Sequence, residues 1–153
     1  YVFANRTLIE TGAQQAVWLK KIEPDYNGYM GLVFEKVCED YLCAQNAKGD
    51  LPILFTSIGR WWGTNPTTHG QEEIDLVAND RKDYIFGECK WRNEKLDISV
   101  LRELKAKADI FSKNRNSTYY YLFSKSEFTD AVIDEAKSDS NIVLVDLKDI
   151  MNF

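Results

Sequence analysis

The chain has 153 residues, of which 44% are hydrophobic and 28% charged, and this suits one domain that can bury a core of its own. No apolar run approaches the ~20 residues that a membrane-spanning helix needs. With 19 basic and 24 acidic residues, the net charge of -5 excludes a protein held on nucleic acid by its overall field. Nucleic-acid binding would need a local basic surface or a metal.

After a mixed lead-in over residues 1–27, the pattern predicts alternating elements in one domain over residues 28–153. Apolar residues at three- and four-residue steps indicate helices, and β-branched and aromatic runs between turn residues indicate strands. In chain order we expect a helix at Tyr29–Ala44, strands at Ile53–Trp62, Glu72–Ala78 and Tyr84–Trp91, a helix at Leu96–Phe111, a strand at Tyr119–Phe123, a helix at Asp130–Lys137 and a strand at Ile142–Val145. This order predicts an α/β fold, a mixed sheet flanked by helices.

Cysteine and histidine usage argues against a disulfide scaffold or a zinc site. Cys38, Cys43 and Cys89 make an odd count without metal-ligand spacing, so we expect reduced thiols. His69, the single histidine, lies in a polar loop where we expect it at the surface. The chain opens at Tyr1 with no charged segment leading into an apolar stretch, so we expect no signal peptide, no membrane association and a cytoplasmic location.

The predicted hairpin of the second and third strands gathers acids around a lysine. If it is symmetric about Arg81 and Lys82, Asp75 faces Glu88 and Glu73 faces Lys90, with opposed Cβ atoms roughly 5 Å apart. A bulge would alter this pairing. Alternation places Glu73, Asp75 and Val77 on one face with Phe86, Glu88 and Lys90, and leaves an apolar face of Ile74, Leu76, Ala78, Ile85 and Cys89.

Two carboxylates held this close favour a cation between them, and hard divalent ions such as magnesium prefer oxygen ligands. Such an ion activates water and neutralises charge on a phosphodiester, while Lys90 could orient the water or stabilise the phosphorane. Glu35, on the first helix, is a further acid. Two bland alternatives stay open: a solvated charged face, or a structural cluster in which Arg60 pairs with Glu73 or Asp75.

The residues Asp75, then residues 76–87, then Glu88-Cys89-Lys90 resemble the PD-(D/E)xK signature of restriction-endonuclease-like nucleases. Ile74 stands where that signature has proline. The resemblance implies that Asp75 and Glu88 hold magnesium or manganese with the Cys89 carbonyl as a third ligand. It also implies that Lys90 is the catalytic lysine and that Glu35 holds water beside the metal.

A second resemblance covers nearly the whole chain and is to the C-terminal domain, of unknown function and nuclease-like, of a family of prokaryotic AAA-type ATPases. The segments that carry it are Asn27–Gly31, Phe34-Glu35, Gly59–Gly63, Glu73–Ala78, Gly87–Trp91, Tyr121–Ser126 and Phe128. It implies that the chain is the tail of a longer ATPase, to which the lead-in of residues 1–27 belongs. The chain has no G-x-x-x-x-G-K-[ST] stretch, so we expect no ATP site in it.

Four residues are candidates for contacting nucleic acid. Arg60 lies beside adjacent tryptophans, Trp61 and Trp62, which face opposite ways on a strand, so that one is core and an exposed one could stack on bases. Positive charge is concentrated after the motif, where Arg92 and Lys105 could hold phosphates. Packing of the tryptophans and ordinary surface ion pairs on the Leu96–Phe111 helix are the alternatives, and for Lys107 we expect surface pairs.

These observations predict a domain that binds DNA and cleaves it with magnesium. The main alternative is an inactive nuclease-like module that binds DNA or a partner protein and regulates its ATPase. A third is a structural domain that assembles the ATPase into an oligomer.

Overall fold

The computed structural model describes residues 23–152. Its elements are α1 (Glu23–Lys48), β1 (Ser57–Thr64), β2 (Gln71–Asp80), β3 (Asp83–Lys90), α2 (Ile98–Phe111), β4 (Thr118–Ser124), α3 (Asp130–Ser138), β5 (Ile142–Asp146) and α4 (Leu147–Met151). Every predicted helix and strand is present in the predicted order, and α4 is additional. Most of the predicted lead-in lies outside the described residues, while its last five residues open α1.

The five strands form one mixed sheet in the order β1-β2-β3-β4-β5. β1, β2 and β3 are antiparallel neighbours, whereas β3, β4 and β5 are parallel. Parallel neighbours need crossover connections, which α2 and α3 provide. The predicted α/β fold, a mixed sheet flanked by helices, is therefore confirmed.

Two apolar clusters cover the two faces of the sheet. On one face, Phe34, Cys38 and Leu42 of α1 pack against side chains of the central strands, and Ile150 of α4 joins them. On the other face lie the buried residues of α2 and α3: Val100, Leu101, Leu104, Ala108 and Val132. Burial on both faces fixes the central strands β3 and β4 and therefore the side chains that they carry.

Several element boundaries differ from the prediction, and the reasons for α1 and β1 differ. α1 begins at Glu23 rather than Tyr29, and its first turns are mostly exposed, so apolar spacing gives no signal there. Its acidic first turn suits the positive end of the helix dipole. β1 begins at Ser57 rather than Ile53, because the chain before Ser57 is bonded to the Asn46 side chain of α1. That side chain accepts from Phe55 N–H at 3.0 Å and donates to the Phe55 carbonyl at 3.1 Å.

The hairpin register is confirmed where β2 and β3 pair, from Leu76 opposite Gly87 to Asp80 opposite Asp83. The prediction that Ile74 shares one apolar face with Leu76 is, however, wrong. Between Gly59–Val77 and Trp61–Ile74 the β1–β2 register shifts by one residue. Two β2 residues, Asp75 and Leu76, there oppose one β1 residue, which is a β-bulge. Consequently Ile74 packs on the α2 face, whereas Leu76 packs on the α1 face.

The described cysteines are free, as predicted: Cys38 and Cys89 are buried and Cys43 is exposed. Within residues 23–152, none of the helices combines the length and apolar character needed to cross a membrane.

Candidate active site

Asp75 lies at the bulge of β2, where the ladder to β3 ends. Its Oδ2 accepts a hydrogen bond from Cys89 N–H at 2.9 Å, so a side-chain oxygen satisfies a backbone donor at that point. The residue is 9% exposed. It lines a cavity of about 190 Å³ between α1, β1 and β2, together with Glu35 and Arg60. The bulge therefore aims this carboxylate at the first helix.

Glu88 lies on β3 and is 3% exposed. Its carboxylate is held by two lysines: Lys107 Nζ is 3.3 Å from Oε1, and Lys90 Nζ is 3.8 Å from Oε2. Burial, and after it the charge of Asp75, raises the pKa of Glu88 from 4.5 to about 7, although both lysines act in the opposite direction. Asp75 accepts from the backbone of Cys89, the residue next to Glu88, so its carboxylate lies near enough for its charge to act on Glu88. The structure thus brings together Asp75, Glu88 and Lys90.

Lys107 is a further site residue. The sequence predicts ordinary surface ion pairs for it, and this prediction is wrong. Its side chain is only 19% exposed and donates to Glu88 at 3.3 Å from α2. The signal was present in the helical spacing: Val100, Leu104 and Lys107 follow steps of four and three residues on the face that α2 turns to the sheet. A lysine in an apolar stripe needs a buried anion, and Glu88 supplies it.

The other two acids, Glu35 and Glu73, form ion pairs with Arg60 and not with Lys90. The Arg60 guanidinium contacts Glu35 of α1 directly, and its Nη1 lies 3.7 Å from Glu73 Oε2. Glu73 pairs in the sheet with Trp62 of β1. The expected contact between Glu73 and Lys90 is therefore wrong, because the bulge turns Glu73 toward Arg60. The alternative in which Arg60 pairs with an acid is thus observed for Glu73. Asp75 makes no ion pair within residues 23–152.

The donor set suits a magnesium ion with few protein ligands. No cluster of three or more Asp, Glu, His or Cys residues that could hold a metal occurs in the described part of the chain. Magnesium, however, usually takes one or two carboxylates and completes its shell with water and phosphate oxygens. Burial and the charge of Asp75 raise the pKa of Glu88 despite the two lysines, and a divalent ion bound to the pair would act in the opposite direction.

Cys89 is a structural thiol. It is 8% exposed, and burial raises the pKa of its thiol well above 9.0, with a hydrogen bond to the Cys38 thiol acting in the same direction. A thiol in this state is a poor nucleophile. Its functional contacts come from the backbone: its N–H holds Asp75, and its carbonyl remains the predicted third metal ligand.

The candidate nucleic-acid residues are spread over both faces of the sheet. Trp62 is 65% exposed and lies 6.0 Å from the Arg60 guanidinium, whereas Trp61 packs edge-on against Phe111. The prediction that one tryptophan is core and the other exposed is therefore confirmed. The remaining two candidates, Arg92 and Lys105, differ in exposure: Arg92 is exposed, whereas Lys105 is half-buried with its Nζ 5.6 Å from the centroid of the Tyr120 ring.

The α-β-β-β-α-β order of this α/β fold places Asp75, Glu88 and Lys90 on adjacent strands of the sheet. The chain belongs to the DUF234 family, "Archaea bacterial proteins of unknown function", whose model matches residues 1–108. It is 36% identical over 154 residues to an uncharacterized protein of Methanocaldococcus jannaschii, an alignment that covers 97% of this chain. The chain spans 31% of the length of that relative.

Three solved structures are similar to the chain. A crystal structure of a protein of unknown function, AF1548, has a TM-score of 0.47 and 15% identity and covers 76% of this chain and 65% of that one. A repair endonuclease from Pyrococcus abyssi has a TM-score of 0.40 and 14% identity over 60% of this chain and 39% of that one. The DNA modification-dependent restriction endonuclease AspBHI has a TM-score of 0.39 and 14% identity over 81% and 33%.

Proposed function

We propose that this domain binds DNA and hydrolyses phosphodiester bonds with a divalent metal, magnesium or manganese. The observation that carries the proposal is the pair of buried carboxylates on adjacent strands: Asp75, bonded to the Cys89 N–H, and Glu88, beside Lys90. Buried carboxyl groups with raised pKa values and a specific charged partner are typical of active sites. Apolar residues in place of buried charged groups are often neutral or stabilising, so stability alone does not account for this pair.

The site residues divide the chemistry between them. Asp75 and Glu88 would hold the metal with the Cys89 carbonyl; when bound, the metal supplies an activated water and positive charge beside the phosphodiester. Lys90, whose side chain is 31% exposed, can donate a hydrogen bond to the attacking water or to the phosphorane oxygens. Lys107 fixes the Glu88 carboxylate from the α2 side. Glu35 faces the same cavity as Asp75 and would hold water there.

A nicking assay with the intact protein, supercoiled DNA and magnesium or manganese tests the proposal. We expect Asp75→Ala and Lys90→Ala each to reduce cleavage by at least a hundredfold while circular dichroism shows an intact fold. Matched controls are Asp134→Ala and Lys137→Ala, which remove exposed charges on α3. Wild-type rates in the Asp75→Ala and Lys90→Ala variants would place the chemistry elsewhere.

The second candidate is an inactive module that binds DNA or a partner protein. It is favoured by the ion pairs that already engage five of the acid and base groups: Arg60 with Glu35 and Glu73, and Lys107 with Glu88. Calorimetric titration with manganese, with and without DNA, separates the two candidates. Binding that Asp75→Asn removes supports the nuclease, whereas the absence of any binding supports the inactive module.

We also propose that the domain is the C-terminal part of a longer ATPase. The resemblance of its motifs to that family supports this context, as does the relative of which the chain spans 31%. The test compares the ATPase rate of the full-length protein with that of its Asp75→Ala variant, with and without DNA. It shows whether the domain regulates ATP hydrolysis. Equal rates under all four conditions would argue against such regulation.

A further inference from the structure

A second concave site lies at the carboxyl ends of the three parallel strands. It has a volume of about 520 Å³ and is formed by the segments that follow β3 and β4 and by α4 directly after β5. In open α/β sheets, the crevice beyond the carboxyl ends of the strands is the usual place for a ligand.

The charges of this cavity leave two ammonium groups without a carboxylate. Three lysines and two acids line it, and Lys95 pairs with Glu127 at 3.5 Å. The other acid, Asp146, is the N-cap of α4 and accepts the Asp149 N–H at 2.9 Å. Within residues 23–152, Lys125 and Lys148 make no ion pair. On a chain with a net charge of -5, such a local excess of positive charge points to an anionic ligand.

Lys125 is also held in place. Its Nζ donates to Asn93 Oδ1 at 3.0 Å and lies 4.6 Å from the centroid of the Trp91 ring. A lysine anchored in this way loses less side-chain entropy when it binds a phosphate than a freely rotating one does. The side-chain NH2 group of Asn93 beside it can donate to phosphate oxygens, since only the Asn93 Oδ1 is used by Lys125.

The cavity is linked to the candidate active site through the end of β3. Lys125 N–H donates to the Lys90 carbonyl at 3.1 Å, so the loop that carries Lys125 is bonded to the end of β3. Glu88 lies two residues earlier on that strand, about 7 Å away along it. A DNA strand rises about 3.4 Å per nucleotide, so a strand held at Glu88 reaches the cavity within a few nucleotides.

We propose that this lysine-lined cavity binds the phosphodiester backbone of the DNA strand that flanks the scissile bond. The inference rests on the proposed function, because it takes the substrate to be DNA, but it concerns binding and not cleavage. Lys125 and Lys148 contact the phosphates, and the apolar lining of Leu147 and Met151 lies against the sugars.

The test measures binding alone, in EDTA, with intact protein carrying Asp75→Asn so that no cleavage occurs. Anisotropy of a labelled single-stranded DNA oligonucleotide gives the affinity at several salt concentrations. The variant is Lys125→Gln with Lys148→Gln. The matched control is Lys113→Gln with Lys137→Gln, which removes two exposed charges near the carboxyl ends of α2 and α3, where the parallel strands begin.

We expect the cavity variant to bind at least tenfold more weakly and the slope of log affinity against log salt to fall by about 1.4. We expect the control pair to stay within twofold of the parent. Equal weakening by both pairs, unchanged binding in the cavity variant, or no DNA binding by the parent would each overturn the inference. Loss of cleavage in Asp75→Ala with unchanged binding in the cavity variant would reject this inference and leave the proposed function standing.

Discussion

The pKa of Glu88 predicts how the stability of the metal-free protein depends on pH. A carboxyl group whose pKa rises from 4.5 in the unfolded chain to about 7 in the folded protein binds its proton more tightly when folded. Its contribution to the free energy of unfolding is fully present below about pH 4.5 and is lost as the pH rises through about 7. Between about pH 5 and pH 8 the loss amounts to about 2.5 kcal/mol.

Glu88→Gln removes this titration and keeps the shape of the side chain. We expect the free energy of unfolding of the wild type to fall, relative to that of the variant, by about 2.5 kcal/mol between about pH 5 and pH 8. Chemical denaturation in EDTA at a series of pH values measures both curves, and groups that titrate in both proteins cancel in the difference.

The matched control is Glu94→Gln, an exposed acid on the loop after β3, whose curve should run parallel to that of the wild type. Excess magnesium should flatten the wild-type curve, because an ion that binds the ionised pair lowers the pKa of Glu88. Parallel curves for the wild type and Glu88→Gln would show that burial beside Asp75 does not raise this pKa, and would refute the electrostatic basis of the site.

Three further substitutions test the packing around the site. Trp61→Ala should lower the free energy of unfolding by about 3 kcal/mol, since the ring packs on Phe111, whereas Trp62→Ala should change it by less than about 0.5 kcal/mol in urea denaturation. The exposed Trp62 ring should instead contribute about 1–3 kcal/mol to single-strand DNA affinity, measured by anisotropy; equal affinity would exclude stacking. Gly87→Ala should cost about 1–3 kcal/mol in thermal unfolding, because its Cβ would lie 3.2 Å from Leu76 Cβ; an unchanged melting temperature would show that the strands give way.

The hairpin that carries the acids was predictable because its register is set locally. A two-residue turn at Arg81 and Lys82 places Leu76 opposite Gly87, and every later pair follows from that symmetry. The alternation of apolar and charged residues on β3 then separates Cys89 from Glu88. Burial of both faces of the sheet confirmed that alternation on β3.

The bulge was not predictable from either strand alone. It depends on a β1 residue, Arg60, opposing two β2 residues, and on the Asp75 side chain accepting the Cys89 N–H fourteen residues away. No local propensity of the chain encodes such contacts, because they form only when three strands meet. The same bulge explains why Glu73 lies beside Arg60 rather than beside Lys90.

Lys107 shows a different limit. Its spacing from Val100 and Leu104 indicated the buried stripe of α2, yet lysines are rarely buried, and the composition favoured a surface position. Only the packing of α2 on β3 shows that the Glu88 carboxylate lies within reach of Lys107. A charged residue within an apolar helical stripe therefore predicts a buried partner of opposite charge on the element below.

A crystal of the intact protein soaked with manganese and a short DNA oligonucleotide gives the most direct test of whether Asp75 and Glu88 hold one divalent ion. Anomalous scattering should place a single peak between the two carboxylates, about 2.2 Å from an oxygen of each, and Asp75→Asn should abolish it. A peak elsewhere, or carboxylates still bound only to Cys89 N–H, Lys90 and Lys107 at saturating manganese, would contradict a metal-dependent nuclease.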